Sequence, residues 1–157
     1  MNYDPLVPAR NIASFLSIDG EIDTSLLIRK FWIQRKNVFL PVLHPSLSRQ
    51  LLFVKYTKKT NLILNKFNIL EPSLYRNQSI ESNKIDIMLV PLVAFDLKGQ
   101  RLGLGGGFYD RTLKDWKKTS LLPIGLAYDF QLINEIPIEE WDIPLPVIIT
   151  PSKIWKW

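Results

Sequence analysis

The chain of 157 residues carries a formal net charge of +5, contains no cysteine, and is 46% hydrophobic and 22% charged. This length fits one domain with a sizeable core, and the apolar content excludes a disordered chain. The lack of cysteine excludes disulfides, thiolate catalysis and cysteine-bound metals. No apolar run approaches the roughly 20 residues that cross a bilayer, and the first residues lack the pattern of a secretory signal. We therefore expect a cytoplasmic protein without a membrane partner.

The positive charge is concentrated in the first half of the chain. Residues 1–84 hold 12 Lys or Arg against 6 Asp or Glu, whereas residues 85–157 hold 8 against 9. A basic half can attract nucleic acid, anionic lipid or a small polyanion, or it can be a solvated, lysine-rich surface. The cations occur as isolated pairs and not as a stripe interleaved with aromatic residues, which argues against a nucleic-acid groove.

The first part of the chain predicts a strand, a helix and two further strands. The strands are expected over three apolar segments, residues 11–17, 38–42 and 51–56. Between the first two, Asp23 or Thr24 can cap a helix. Four apolar residues of this helix fall on one face, Leu27, Ile28, Phe31 and Trp32. We expect Pro41 to help stop the second strand, and the crossover is long enough to make the first two strands parallel.

The remainder of the chain predicts a buried central strand and two others. Residues 58–84 are polar and weakly periodic, and they read as loop or edge structure around Glu71 and Pro72. Residues 85–90 are almost continuously apolar, which is typical of a strand covered on both faces. Further candidate strands lie at residues 121–128 and 145–150. The pattern predicts a single α/β domain with a largely parallel sheet.

A glycine cluster is the most informative segment of the sequence. Five of the seven glycines lie between Gly99 and Gly107, in Gly-Gln-Arg-Leu-Gly-Leu-Gly-Gly-Gly. Because glycine loses the most conformational entropy on folding, such a cluster indicates a special backbone task. The two common tasks are a tight hairpin and a loop whose N–H groups converge on an anion.

The residues around the cluster favour the anion loop over a purely structural turn. An apolar repeat predicts a helix directly after Gly107, through Tyr109, Leu113 and Trp116. A glycine-rich turn that leads into a helix is a ready anion site. Arg101 and Arg111 flank it and can bind phosphate oxygens, and Asp110 can hold Mg²⁺ against them. The spacing matches neither the P-loop nor the dinucleotide fingerprint.

The sequence also resembles a known family. Pro91-Leu-Val-Ala-Phe-Asp96, followed by the glycine cluster and Phe-Tyr-Asp-Arg111, is similar to the signature of the 5-formyltetrahydrofolate cyclo-ligase family, with Phe108 where Tyr is usual. The segment Ser-Phe-Leu-Ser-Ile-Asp-Gly-Glu-Ile-Asp-Thr, residues 14–24, resembles the family's first strand and helix start. Leu40-Pro41, Glu71-Pro72 and residues 141–150 have counterparts as well, so the resemblance covers essentially the whole chain.

The resemblance implies a fold, a reaction and a set of ligands. The fold would be a Rossmann-like, CoA-transferase-like α/β domain with a mostly parallel sheet flanked by helices. The reaction would be the ATP-dependent conversion of 5-formyltetrahydrofolate to 5,10-methenyltetrahydrofolate, with release of ADP and phosphate. The ligands would be ATP, a reduced folate and Mg²⁺. We expect a monomer with no nucleic-acid partner.

The resemblance also implies roles for individual residues. Arg101 and Asp110 would be catalytic, with Asp110 holding Mg²⁺. The ATP-binding residues would be Arg101, Leu102, Gly103, Leu104, Gly105, Gly106, Gly107, Phe108 and Tyr109. The folate-binding residues would be Leu16, Glu21, Leu104, Gly105, Gly106, Gly107 and Phe108. The Glu21 carboxylate can accept N–H groups of a pterin; otherwise it is an acid favoured near a helix start.

Two further residues have weaker interpretations. Glu71 is either a pocket residue or a surface residue. His44, the only histidine, stands between Leu43 and Pro45 and is interpreted as a turn residue.

The chain departs from the family pattern in two places. Members usually begin with a basic helix ahead of the first strand, and some carry a second metal-binding Asp where this chain has Leu145-Pro146. We therefore expect residues 1–157 to form a single cyclo-ligase domain without that helix. Two alternatives remain open: a folate- or nucleotide-binding relative with weak or no turnover, and a nucleic-acid-binding module that uses the basic half.

Overall fold

A computed structural model describes residues 3–18, 20–47, 50–74, 79–103 and 106–157. The strands in this part of the chain are β1 (Asn11–Ala13), β2 (Asn37–Leu43), β3 (Leu51–Tyr56), β4 (Leu62–Leu64), β5 (Leu70–Pro72), β6 (Ser79–Ile80), β7 (Ile87–Pro91), β8 (Ala94–Phe95), β9 (Arg101–Leu102), β10 (Leu122–Leu126), β11 (Val147–Ile149) and β12 (Ile154–Lys156). The α-helices are α1 (Ser25–Ile33) and α2 (Phe108–Leu113). Short 3₁₀ turns occur at Asp4–Leu6, Ser82–Lys84, Trp116–Lys118 and Asp129–Gln131. None of the described helices has the length and apolarity needed to cross a membrane.

One large sheet organises the fold. Its eight strands run in the order β12-β11-β10-β7-β1-β2-β3-β6. The four pairs from β11 to β2 are parallel, and the pairs at the two ends are antiparallel. The predicted α/β class with a mostly parallel sheet is therefore confirmed. The strand β7 lies near the middle of the sheet, as its continuous apolar run predicted.

Both faces of the sheet are covered. Alternate residues of β7 belong to different cores, because successive side chains point to opposite faces. Ile87 and Leu89 pack in the core that contains Ile28 and Phe31 of α1. Met88 and Val90 pack in the core that contains Leu113 of α2. The two helices thus lie on opposite faces and connect neighbouring parallel strands.

The first crossover follows the prediction, but β1 is shorter than expected. Thr24 is the N-cap position of α1, and Ile28 and Phe31 are buried on its inner face. The strand was predicted through residue 17 but ends at Ala13. The Ser14 N–H still donates to the Phe39 carbonyl. The Phe15 carbonyl, however, accepts the Thr24 hydroxyl instead of a strand partner, so the chain turns away from the sheet.

Strand β2 includes Pro41 and ends at Leu43, one residue beyond the predicted strand 38–42. Pro41 pairs with Phe53 of β3, whereas the last β1 residue in register is Ala13, opposite Phe39. Beyond Phe39, β2 therefore has a strand neighbour on one side only. Proline is tolerated in strands at such edge positions, where its missing N–H removes no bond.

The second helix is also shorter than predicted. The helix begins directly after Gly107, as expected, but α2 ends at Leu113, and Trp116 belongs to a separate 3₁₀ turn. Leu113 is fully buried, and Tyr109 and Trp116 pack against the same core. The apolar repeat therefore predicted the correct buried face but too long a helix.

Distant parts of the chain are joined next to β1. The Asp86 carboxylate oxygen Oδ2 accepts the N–H groups of Arg10 and Asn11, each at 2.9 Å. These contacts link residues that are 76 and 75 positions apart in the sequence. They hold the start of β1 against the start of β7.

Candidate functional site

The sheet has a natural crevice between β1 and β7. These strands are parallel neighbours, but the chain leaves β1 through α1 toward β2, and it leaves β7 through α2 toward β10 on the other side. Ligands of open α/β sheets bind outside the carboxyl ends of the strands at such a switch point. The two segments that carry the predicted site, residues 16–21 and 99–110, follow β1 and β7 respectively.

The first glycine of the cluster has a structural task. Gly99 lies in the turn between β8 and β9, with a φ of 80°. Asp96 stabilises this turn by accepting the N–H groups of Lys98 and Gln100. A Cβ at position 99 would approach the Leu145 carbonyl oxygen to 2.9 Å. Gly99 therefore belongs to a tight hairpin, which is the first of the two tasks considered from the sequence.

Of the later glycines, Gly103 follows β9 and Gly106 and Gly107 lead directly into α2. A Cβ at Gly103 would lie 3.2 Å from Arg101 Nη1, and one at Gly106 would collide with the ring of Phe108. Gly107 has a φ of 71° and no neighbour within 4 Å of an added Cβ. Open space in front of a left-handed glycine leaves room for a ligand to approach the backbone. Leu104 and Gly105, both predicted site residues, lie outside the described part of the chain.

Arg101 is a buried cation with an incomplete set of partners. Its side chain is 5% exposed, and Nη2 donates to Asp110 Oδ1 at 2.9 Å. Burial lowers the pKa of Arg101, and the Asp110 carboxylate opposes this shift. Within the described ranges, Arg101 Nε is buried and has no hydrogen-bond acceptor. An unpaired buried donor is costly, so an acceptor oxygen placed at this atom would stabilise the side chain.

Asp110 is held in place by two donors. Its Oδ1 accepts Arg101 Nη2 and the Ile143 N–H at 3.0 Å, whereas Oδ2 has no hydrogen bond to any described residue. No group of three His, Asp or Glu residues suited to a metal occurs in the described segments. A single carboxylate with one free oxygen fits Mg²⁺, which binds one or two carboxylates and takes its other ligands from phosphates and water.

Glu21 and Tyr109, one from each predicted segment, interact electrostatically. Burial raises the pKa of Glu21, and the hydrogen bond from the Ile18 N–H to its Oε1, at 2.9 Å, partly opposes the rise. Burial also raises the pKa of Tyr109, and the negative charge of Glu21 raises it further. Glu21, after β1, is therefore within electrostatic range of Tyr109 in α2.

Leu16 lies apart from the glycine segment. It is half-buried, packs against the core on the α1 side and lines a cavity beside α1.

Glu71 is only 8% exposed, so the interpretation of Glu71 as a surface residue is wrong. Its Oε2 accepts the Leu43 N–H and Asn65 Nδ2, each at 3.1 Å, which ties the β4–β5 hairpin to the carboxyl end of β2.

His44 is a turn residue, as predicted. Its Nδ1 accepts the N–H groups of Ser46 and Leu47 at 3.0 and 2.9 Å. These local hydrogen bonds use the ring nitrogen to close the turn after β2.

Sequence reasoning missed two neighbours of the site. Phe67, in the turn of the β4–β5 hairpin, makes an edge-to-face contact with Phe108, with ring centroids 6.2 Å apart. The signal in the sequence that could have identified Phe67 was an aromatic residue between Lys66 and Asn68 in an otherwise polar segment.

Asp142, next to Ile143, is the second missed neighbour. It lies within electrostatic range of Arg101 and raises the pKa of Arg101. Nothing in the local sequence distinguishes Asp142 from a surface acid.

The comparisons with known proteins identify a family. The model of the 5-formyltetrahydrofolate cyclo-ligase family matches residues 2–151. The 5-formyltetrahydrofolate cyclo-ligase of Escherichia coli K12 is 50% identical over 157 residues, which are 100% of this chain and 86% of that protein. The Haemophilus influenzae enzyme of the same name is 52% identical over 137 residues, covering 87% of this chain and 73% of the relative.

Solved structures show the same fold. The NMR structure of Aquifex aeolicus 5,10-methenyltetrahydrofolate synthetase aligns with a TM-score of 0.77 at 30% identity, over 96% of this chain and 75% of that one. The 5,10-methenyltetrahydrofolate synthetase of Mycoplasma pneumoniae aligns with a TM-score of 0.69 at 25% identity, over 90% and 73%. The chain thus belongs to the 5-formyltetrahydrofolate cyclo-ligase family.

Proposed function

We propose that this protein uses ATP to convert 5-formyltetrahydrofolate to 5,10-methenyltetrahydrofolate, ADP and phosphate. Family membership over residues 2–151 supports the reaction. The structural observation that carries the proposal is the buried Arg101, whose Nε lacks an acceptor beside a glycine turn at the crevice. A phosphate oxygen is the ligand that best fits such a donor.

The chemistry explains why ATP is needed. The formyl carbon is a poor electrophile because the attached nitrogen donates electrons into the carbonyl group. Transfer of the γ-phosphoryl group to the formyl oxygen releases ADP and turns that oxygen into part of a leaving group. The neighbouring folate nitrogen then forms a bond to the formyl carbon and loses its proton, and the carbon–oxygen bond breaks to release phosphate. Positioning and charge stabilisation are what the protein must supply.

The ATP side of the site is assigned to the glycine segment. Arg101 would bind phosphate oxygens through Nε, and Leu102, Gly103, Gly106, Gly107, Phe108 and Tyr109 would form the surrounding wall, together with Leu104 and Gly105. Asp110 would hold Mg²⁺ through Oδ2, and the bound ion would neutralise phosphate charge. The Asp110–Arg101 ion pair keeps the guanidinium oriented.

The folate side is assigned to the opposite wall of the crevice. Glu21 would accept N–H groups of the pterin, and Leu16 and Phe108 would contact apolar parts of the substrate. The Ile18 N–H fixes one oxygen of Glu21, which leaves the other oxygen for the ligand. The expectations of a monomer and of no nucleic-acid or membrane partner remain part of this proposal.

One assay tests the proposal. The protein is mixed with 5-formyltetrahydrofolate, ATP and Mg²⁺, and the near-ultraviolet absorbance of the methenyl product is followed. We expect product only when all three are present. A folded protein that binds folate but gives no absorbance change at high protein concentration would instead be a binding relative without turnover.

A further inference from the structure

One buried carboxylate attaches the β4–β5 hairpin to the sheet. Glu71 in β5 is 8% exposed, and its Oε2 accepts the Leu43 N–H and Asn65 Nδ2, each at 3.1 Å. His44, which follows β2, donates its N–H to the Gln50 carbonyl. Because the N–H groups of successive strand residues point to opposite sides, the Leu43 N–H points away from β3. Glu71 therefore lies on the side of β2 where β1 has already ended.

Asn65 joins this carboxylate to the turn of the hairpin. Its Oδ1 accepts the N–H groups of Phe67 and Ile69, at 2.8 and 3.2 Å, while its Nδ2 donates to Glu71. The Asn68 N–H closes the same turn by donating to the Asn65 carbonyl at 3.0 Å. An amide supplies both an acceptor for the turn and a donor for the carboxylate, whereas a carboxylate supplies only acceptors. The shape of the turn is thus tied to the Glu71 side chain.

The turn carries Phe67 to the glycine segment. The rings of Phe67 and Phe108 meet edge to face, with centroids 6.2 Å apart. Phe108 begins α2, and its ring lies against Gly106, where an added Cβ would collide with it. The hairpin therefore contacts the carboxyl end of β2 through Glu71 and the start of α2 through Phe67.

We propose that Glu71 and Asn65 are positioning residues of the ligand site. They hold the β4–β5 hairpin in the arrangement in which Phe67 supports the ring of Phe108 beside the glycine segment. Neither of them contacts a ligand, and both act through Phe67. The inference rests on the proposed function, because Phe108 is assigned to the wall of that site.

The substitution Asn65→Asp disrupts the pair with little change of shape. Aspartate keeps the acceptor for the turn, but it sets a second carboxylate against the buried Glu71, and the two like charges repel. We expect the KM for ATP or folate to rise about two- to tenfold, the range of a single aromatic contact. The kcat should stay nearly unchanged, because this wall is used equally in the ground and transition states.

Asn61→Asp is the matched control. It adds the same charge to the same hairpin, at an exposed residue whose side chain has no hydrogen bond to any described residue. All kinetic constants should therefore stay at their native values.

Two double variants test whether the residues act as one unit. In Asn65→Asp/Glu71→Gln the amide and the carboxylate exchange places, so the total charge is that of the native protein and we expect the KM to return toward the native value. Asn65→Asp combined with Phe67→Ala should raise the KM no further than Phe67→Ala alone, because residues that act through one contact are not additive. Additive increases, or an unrestored KM in a folded exchange variant, would overturn the pair.

An NMR test works without turnover. The nuclear Overhauser effect between the ring protons of Phe67 and Phe108 is measured in the free protein. We expect it to be lost in Asn65→Asp, kept in Asn61→Asp and restored in the exchange variant. Normal turnover with unchanged KM values in Asn65→Asp would overturn the positioning role but not the proposed function. Loss and rescue of the ring contact in a protein without turnover would overturn the proposed function and support the pair as the anchor of the hairpin.

Discussion

Arg101 is the residue on which the proposed ATP site depends most. One side of its guanidinium is paired with Asp110, and the other side, Nε, is buried without an acceptor among the described residues. Leaving a buried donor unpaired costs about 1–3 kcal/mol. A phosphate oxygen at Nε would recover that free energy, so the free protein is destabilised at the position where the ligand is expected to bind.

Substitution Asp110→Asn separates the metal role from the structural role. Asparagine keeps an oxygen that can accept Arg101 Nη2 and the Ile143 N–H, but it loses the charge proposed to bind Mg²⁺. We expect turnover to fall about 100-fold or more, with weaker dependence on Mg²⁺ concentration and nearly normal folate binding. Equal losses of folate and ATP binding would make Asp110 a structural residue.

The exposed acid Asp115 supplies the matched control. Among the residues that the structure describes, it pairs only with the exposed Lys118, at 3.4 Å, and such surface pairs contribute little. Asp115→Asn should therefore leave turnover and the Mg²⁺ dependence unchanged.

Glu21 should make the protein less stable as the pH rises. Its pKa in the folded protein is raised from 4.5 by burial, so the folded state binds more protons than the unfolded state and loses stability as the pH rises through that range. Glu21→Gln removes the cost of ionising this carboxyl group in the folded protein. We expect a higher Tm than native at pH 7 and no such gain near pH 3, where the carboxyl is protonated in both states, as measured by thermal unfolding. The same variant should bind reduced folate more weakly, since the proposed acceptor for the pterin has lost its charge. A lower Tm at pH 7 would contradict the assigned cause.

At the scale of elements, apolar runs and repeats were predictable, but the short strands of the polar middle segment were not. The repeat in residues 24–33 predicted α1 and its buried face, and the apolar run at residues 85–90 predicted the central β7. The strands β4 and β5 have three residues each, too few for an alternating pattern to be recognised. The β8–β9 hairpin was hidden because its Gly99 lies next to the glycines of the anion turn. No periodicity in the sequence distinguishes a glycine of a hairpin from a glycine of an anion-binding turn.

The same limit applies to the site. Arg101, Asp110 and Glu21 were predicted because they lie in or beside recognisable motifs. Phe67 was missed because it reaches Phe108 only through the pairing of β4 with β5. Contacts of this kind depend on how hairpins fold over the sheet, and local residue patterns carry no such information.

Phe67→Ala tests whether the β4–β5 hairpin supports the glycine turn. Loss of one edge-to-face pair is expected to raise the KM for ATP or folate about two- to tenfold, the range of a single aromatic contact. The Tm should change little, because Phe67 is 53% exposed. Phe130→Ala is the control, since Phe130 is more exposed and stacks on Tyr128, outside the residues assigned to the site. If the two substitutions had identical effects, the β4–β5 hairpin would not be part of the site.

At the scale of the whole molecule, the distribution of charge is expected to serve a small ligand. The first half of the chain is basic, and two of its cations, Arg29 and Lys58, flank the cavity beside α1. The glycine turn with the buried Arg101 belongs to the second half, which is nearly neutral. A long basic stripe suited to nucleic acid is therefore not needed to explain the net charge.

A salt series distinguishes a small polyanion from nucleic acid. DNA binding through surface lysines should be weak and should disappear as salt rises through physiological concentrations, because it depends on counterion release. Reduced-folate binding should persist, since an enclosed site adds apolar contacts and directed hydrogen bonds that salt does not screen. Both affinities can be measured by titration across the same salt range. Tight DNA binding at physiological salt, without measurable folate binding, would favour the nucleic-acid module.

The contact between Asp86 and the start of β1 has a consequence for folding kinetics. This contact joins residues that are 75 and 76 positions apart. The β1–β7 crevice therefore cannot form until the long chain segment between them has closed into a loop. Such closure is slow in proteins that are rich in non-local contacts. If the crevice is completed after the rate-limiting barrier, ligands stabilise only the native side of that barrier. We expect MgATP and folate to slow unfolding while refolding keeps its rate, so that stopped-flow chevron plots with and without ligand differ only in the unfolding limb. Substrate would then protect the protein by lengthening the lifetime of the native state, and it would not help new chains to fold.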